Sequence, residues 1–153
     1  MQHDAPMTYD AVVIGGSYAG LSAAIHIARA RRSVCVIDAS SPRNRFADAS
    51  HGFFGQDGAE PLAMIAAARA EVERYPGVTM IAGTASDAHV VNGGFAVTLV
   101  DGSTLTSAKL VLAFGISDML PEVPGLAERW GRTVLHCPYC HGFEHGGGRL
   151  GVL

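Results

Sequence analysis

The sequence is short of several things, and each shortage closes a class of function. Charged residues make up only 16%, and Asp plus Glu outnumber Lys plus Arg by 14 to 11, a formal net charge of -3. Without a basic surplus there is no electrostatic footprint for nucleic acid or an anionic membrane surface. No apolar run reaches the ~20 residues that a membrane-spanning helix needs, so no membrane partner is expected. The opening Met1-Gln2-His3-Asp4-Ala5-Pro6 lacks the basic segment and apolar core of a secretory leader. Cysteine is scarce and odd in number, three in all, which argues against a secreted scaffold held by disulfides. Repeats and low-complexity tracts are missing too. The cytoplasm is the expected location. In that reducing setting a close cysteine pair is more often catalytic or metal-binding than structural.

What is present describes one ordinary α/β domain. The 153 residues are 48% hydrophobic and include 19 glycines, enough for a buried core joined by tight turns. Tyr9-Asp10-Ala11-Val12-Val13-Ile14 is an apolar, β-branched run that reads as a buried strand. Gly15-Gly16-Ser17-Tyr18-Ala19-Gly20 follows at once. Leu21, Ala24, Ile25 and Ala28 then recur at helical spacing, with Arg29, Arg31 and Arg32 at the C-terminal end. Ser33-Val34-Cys35-Val36-Ile37-Asp38 is a second buried strand that ends in an acid.

That order is the dinucleotide-binding fingerprint with one departure. G-x-G-x-x-G falls on Gly15, Ser17 and Gly20. Gly15 permits the sharp turn, and Gly20 lets the helix pack close to the sheet. The helix N-terminus offers N–H groups and partial positive charge to a pyrophosphate. Ser17 stands where backbone approaches phosphate, and its small hydroxyl fits there. Asp38 is placed to accept from a ribose 2′-OH, which favours an adenosine cofactor such as FAD or NAD over NADP. The alternative is a plain strand, turn and helix.

Residues 39–58 form a polar loop with Pro42-Arg43-Asn44-Arg45 and Ser50-His51-Gly52-Phe53-Phe54-Gly55. A loop this long is commonly functional or mobile. Arg43 and Arg45 either meet phosphate or are solvated loop charges. Pro61 opens a helix whose apolar stripe is Leu62, Ile65, Ala68, Val72 and Tyr75, and Pro76-Gly77 stop it. Val78-Thr79-Met80-Ile81 is a third strand. Residues 84–113 read as an antiparallel meander, with strands at 88–91, 95–100 and 110–113 and turns at Asn92-Gly93-Gly94 and Asp101-Gly102. Residues 149–153 read as the start of another buried strand.

His136-Cys137-Pro138-Tyr139-Cys140-His141-Gly142-Phe143-Glu144 carries the chemistry. C-x-x-C spacing can close a small disulfide ring, and imidazoles on either side can favour a thiolate and move protons. Other readings stay open. Cys137-x-x-Cys140-His141 also spells a c-type haem attachment signal, whose chemistry needs export. Zinc held by both cysteines with His136, His141 or His145 is sensible chemistry, although adjacent ligands fold awkwardly around one ion and no second C-x-x-C exists. Cys-Pro-Tyr-Cys is also the glutaredoxin tetrapeptide, which there opens a helix early in a small domain. A purely structural disulfide is the remaining alternative. Cys35, mid-strand among valines, reads as a core thiol. His3, His26 and His89 form no constellation.

Together these segments resemble the thioredoxin-reductase family of flavoprotein disulfide oxidoreductases. The matching residues are Val13-Ile14-Gly15-Gly16-Ser17-Tyr18-Ala19-Gly20, Ile37-Asp38, the Pro42-Arg43-Asn44-Arg45 and His51-Gly52 loop, Ala113-Phe114-Gly115, Pro121-Glu122-Val123-Pro124-Gly125 and Cys137-Pro-Tyr-Cys140. They span nearly the whole chain in the family's order. The resemblance implies a Rossmann-like, three-layer FAD-binding domain with a parallel sheet and an antiparallel β-meander over residues 1–125. Residues 126–153 would hold the C-x-x-C segment and the first strand of an NADPH domain. Cys137 would be the interchange thiol and Cys140 would face the flavin, with His136 and His141 as acid/base groups. Gly15, Gly16, Ser17, Tyr18, Ala19 and Gly20 would hold the pyrophosphate, with Asp38 and Ala39 at the ribose. Arg43, Asn44, His51, Gly52, Ala85 and Gly115 would line the rest of the FAD site; no metal is implied.

Thioredoxin reductases proper carry Asp after the second cysteine, where this chain has His141. That change points away from thioredoxin itself and toward a small disulfide or dithiol substrate, with a thioredoxin-like protein as the other possible partner. Family chains run to roughly twice this length, as two domains of typical size would. The chain therefore reads as the N-terminal half of a longer FAD- and NADPH-dependent enzyme, a homodimer in its full form. A non-catalytic nucleotide-binding remnant is the alternative.

Overall fold

The elements of the computed structural model run β1 (Tyr9–Ile14), α1 (Tyr18–Arg29), β2 (Val34–Asp38), α2 (Pro61–Val72), β3 (Val78–Ala82), β4 (Ala85–Val91), β5 (Gly94–Leu99), β6 (Thr104–Leu112) and the short α3 (Pro138–His141). The structure describes residues 9–152. The reading of the N-terminal segment, His3 included, and the last residue of the strand expected at 149–153 lie outside the described residues. Contacts divide the chain into two units, Met1–Pro42 with Ile65–Ile116 and Arg43–Met64 with Ser117–Leu153.

The first unit is a sheet of order β3-β2-β1-β6-β5-β4. β1 pairs in parallel with β2 and β6, and β3 adds in parallel beyond β2. β1 and β2 are unbroken apolar runs because both faces of the sheet are covered. On one face Ala11, Val13, Val34 and Val36 pack with Leu21, Ala24 and Ala28 of α1 and Val72 of α2. On the other Val12, Cys35 and Ile37 pack with Val97 and Leu99 of β5. Helices, parallel strands and meander thus make three layers. Val12, Val13, Val34, Val36 and Val97 are fully buried, each stabilising the fold by about 1.5–3 kcal/mol relative to an exposed side chain.

β6 joins the layers. Its first half pairs antiparallel with β5 and its second half parallel with β1, and Ser107 alone belongs to both registers. Ser107 is fully buried, and its hydroxyl donates to the Lys109 carbonyl at 2.8 Å. Gly94 backs onto the Ser107 carbonyl, where a Cβ has no room. The sequence pattern predicts only 110–113 for this strand; Thr104, Leu105 and Thr106 extend it because β5 supplies their partners. The stripe predicted on α2 is also shorter. Ile65, Ala68 and Val72 reach the core, as does Tyr75 from just beyond the helix end, but Leu62 is 47% exposed.

The second unit is mostly turns. A Ser50–Ala59 bridge closes the loop that holds His51 and Gly52. A 3₁₀ turn at Ala127–Arg129 and a Trp130–Val134 bridge precede the cysteines, and Leu126 is buried. The strand expected from residue 149 is not formed over 149–152. Leu150 and Val152 are 77% and 101% exposed, since a lone segment has no neighbour for its N–H and C=O groups.

Candidate functional site

The turn after β1 is shaped by missing side chains. Gly15 has φ +111°, a conformation L side chains rarely adopt, and a Cβ there would strike the Ala113 carbonyl. A Cβ on Gly16 would lie 2.6 Å from the Asp38 Cβ, and one on Gly20 would meet the Gly15 carbonyl. Gly16 had no part in the fingerprint spacing, yet it is what lets Asp38 stand against the turn. Ser17 is the N-cap of α1 in extended backbone, and its side chain makes no cap hydrogen bond. Tyr18 and Ala19 begin the helix. Its first turn has no acid and its last carries His26 and Arg29, so side-chain charge follows the helix dipole. A turn stripped of Cβ atoms before a helix N-terminus free of acids fits the pyrophosphate of a dinucleotide.

Asp38 ends β2 with its side chain 16% exposed. Oδ1 accepts from the Ser40 N–H at 3.0 Å, and Arg69 of α2 lies 3.7 Å from Oδ2. Ser40 takes φ +53° to make that bond. Neither Ser40 nor Arg69 belongs to a motif, so spacing gave no signal for them. Ala39 is exposed beside Asp38. Ala85 opens β4 and packs on the meander side of the core. Gly115 follows β6 at φ +67° with open space around it.

In the second unit Cys137 and Cys140 form a disulfide, with Cα atoms 5.3 Å apart. Cys137 is the N-cap of α3, Pro138 sits at the helix start, and the Cys140 N–H donates to the Cys137 sulfur at 3.1 Å. Cys137 is half-buried and Cys140 exposed. The imidazole of His136 lies 5.6 Å, centroid to centroid, from the Trp130 ring. Burial, then the positive charge of Arg43, hold His136 below its ordinary 6.5; Asp118 pulls the other way and His141 adds to the lowering. Among the described residues no group of His, Cys, Asp and Glu gathers as metal ligands.

Arg43 donates to Asp118 through both Nε, at 2.9 Å, and Nη2. The pair raises the Arg43 pKa and holds the Asp118 carboxyl below its ordinary range, chiefly through that hydrogen bond. Arg45 stacks over Phe46 at 4.3 Å. Asn44 accepts through its carbonyl from the Ala47 N–H. Gly52 has φ +72° and donates its N–H to Asp57. His51 stands between Asp57, 3.6 Å away, and Glu144, 3.4 Å away. It thereby ties the loop to the segment just after the cysteines. Asp118, Trp130 and Glu144 were not foreseen as site residues. A separate cavity of about 740 Å³, lined by Asp10, Arg29, Arg31, Arg32 and Tyr75, holds none of the predicted site residues. Among the described residues no helix is long and apolar enough to cross a membrane.

Comparison with known proteins bears on this arrangement directly. Residues 9–151 match the family described as pyridine nucleotide-disulphide oxidoreductase. The chain is 39% identical over 151 residues to the thioredoxin reductase tcpT of Claviceps purpurea, covering 94% of this chain and 46% of that one. It is 37% identical to the thioredoxin reductase sirT of Leptosphaeria maculans, covering 93% and 44%. The crystal structure of an oxidoreductase from Agrobacterium tumefaciens superposes with a TM-score of 0.87 at 51% identity, covering 92% of this chain and 48% of that one. The chain spans about half the length of the relatives it matches.

Proposed function

Because the chain belongs to the pyridine nucleotide-disulphide oxidoreductase family, we propose that it carries the first nucleotide site and the redox disulfide of a flavin-dependent thiol–disulfide oxidoreductase. The observation that carries this reading is the Cys137–Cys140 disulfide at the start of α3, flanked by His136 and His141. The glycine turn supports it from the other unit. Gly15, Gly16, Ser17, Tyr18, Ala19 and Gly20 bind the pyrophosphate of FAD, and Asp38 with Ala39 binds the adenosine ribose. Arg43, Asn44, His51, Gly52, Ala85 and Gly115 border the remainder. When bound, FAD supplies two-electron chemistry linking NADPH to the disulfide. Residues 1–125 form the FAD domain in this reading, and residues 126–153 lead to the NADPH domain of a longer, homodimeric chain.

At the cysteines, Cys137 is the sulfur that exchanges with substrate. In reduction its thiolate attacks an external disulfide, and Cys140 then closes the internal ring as the second substrate thiolate leaves. In dithiol oxidation the same exchanges run backwards. His136 and His141 hold and move the protons. A half-buried Cys137 beside an exposed Cys140 admits a small disulfide or dithiol, or the tip of a thioredoxin-like protein, in the cytoplasm.

The test is equilibrium dialysis of the purified chain against FAD, followed by thiol counting after anaerobic reduction of the bound flavin. Stoichiometric flavin, lost in Gly16→Val, with both Cys137 and Cys140 appearing as thiols, supports the proposal. No retained flavin refutes it. The half-length match to relatives favours one second reading, a nucleotide-binding module without turnover. Bound flavin with the disulfide left intact would select that reading.

A further inference from the structure

We propose that the cleft at the edge of the sheet opposite the glycine turn is a second anion site, built to take the phosphate group of a small ligand. The glycine turn follows the C-terminal end of β1. The cleft is lined instead by Asp10 near the start of β1, Ser33 just before β2 and Gly77 just before β3. It stands apart from the redox reading for that reason. Its volume of about 740 Å³ falls within the ordinary range of small-molecule sites. The lining carries three guanidinium groups, Arg29, Arg31 and Arg32, against the single carboxylate of Asp10. That is an excess of two positive charges in a chain whose net charge is -3. A dianionic phosphate matches the excess; a monocarboxylate does not.

Two of the guanidinium groups are already placed. Arg29 Nη1 donates to the Tyr75 hydroxyl at 3.0 Å, and Arg32 Nη1 lies 3.5 Å from Asp10 Oδ1. Asp10 Oδ2 accepts from the Ser33 N–H at 2.7 Å and from its hydroxyl at 2.9 Å, so the carboxylate charge is partly answered before a ligand arrives. The Arg31 side chain has no hydrogen-bond or ion-pair partner among the described residues, and its backbone holds φ +59°. A left-handed arginine where glycine is usual keeps strain in the fold, and retained strain points to a use. The carbonyls at the C-terminus of α1 would repel an anion, but they are spent. The Arg31 N–H bonds that of Ala28, and the Arg32 N–H that of Ile27. What stays on offer is the planar guanidinium fork, which binds phosphate oxygens in pairs.

The test is a titration of the purified chain with inorganic phosphate at constant ionic strength, followed by backbone amide NMR, with chloride as control. Saturable shifts centred on Arg31, Arg32, Ser33 and Gly77 are expected, and none with chloride. Arg31→Met and Arg32→Met should each weaken phosphate binding about 10-fold through loss of a charge-assisted hydrogen bond, with Arg31→Lys recovering part of it. Arg31→Gly separates binding from folding. It relieves the left-handed backbone, so phosphate affinity should fall while the denaturant midpoint rises. Shifts confined to residues 15–20 would put the ion on the glycine turn and overturn the proposal. So would shifts that never saturate, equal shifts with chloride, or undiminished affinity in Arg31→Met and Arg32→Met.

Discussion

Sulfur shows how far surroundings alter one kind of atom. Cys35 is fully buried between Val34 and Val36, and burial pushes its thiol up to about 11, against a smaller opposing effect of a hydrogen bond with Tyr9. A buried thiol at neutral pH is a small apolar side chain. A thiol reagent added to the native, reduced protein should therefore modify Cys137 and Cys140 and spare Cys35 until the chain is unfolded. Mass spectrometry of the labelled peptides checks this; rapid native labelling of Cys35 would contradict its place in the core. Cys35 was legible in the sequence because its valine neighbours announce a strand buried on both faces. Asp118 was not. It sits in Ile116-Ser117-Asp118-Met119, without periodicity or motif, and its partner Arg43 is brought to it only by folding. Gly16 is an intermediate case, visible as a glycine but explained only when Asp38 is seen against it.

Helix α1 ends in a way its sequence did not advertise. The Arg31 N–H bonds the Ala28 carbonyl at 2.9 Å and the Arg32 N–H the Ile27 carbonyl at 3.3 Å, a paired C-terminal motif that usually has glycine in the left-handed position. Here Arg31 takes it, at φ +59°. Arg31→Gly should stabilise the protein by about 0.5–1 kcal/mol, seen as a higher denaturant midpoint at unchanged slope; a lower midpoint would contradict the strain. The neighbouring junction of β1 and β2 sets an acid limit. The Asp10 carboxylate accepts from the Ser33 N–H at 2.7 Å and its hydroxyl at 2.9 Å, which lowers its pKa below the ordinary 3.8. Stability from a depressed carboxyl is present above 3.8 and is lost as pH falls through the folded value. Asp10→Asn should thus flatten the acid side of the stability curve and leave its neutral slope alone, as pH-dependent denaturation would show. Strand β6 illustrates why element bounds were only partly readable. Its apolar end fits a parallel strand, but its first half is polar and becomes strand only because β5 lies alongside.

At the scale of the whole chain, local pattern and fold agree where each strand and helix meets its neighbours in sequence order. The strand, glycine turn, helix and strand at the N-terminus build the parallel part of one mixed six-stranded sheet, with helices packed on one face and residues of the meander on the other. The turn-rich second unit was harder to read because polar side-chain contacts, such as the Arg43–Asp118 ion pair and the approach of His51 to Glu144, organise it in place of apolar periodicity. Family membership and the half-length match both direct attention to whether these residues act together as one redox device. The most direct measurement is an anaerobic reductive titration of the FAD-loaded chain, with wild type and Cys140→Ser side by side. A flavin coupled to the disulfide predicts that wild type takes up twice the reducing equivalents of the variant and exposes Cys137 and Cys140 as thiols at the end point. Equal uptake by both proteins, with the wild-type disulfide intact after the flavin is bleached, would contradict it.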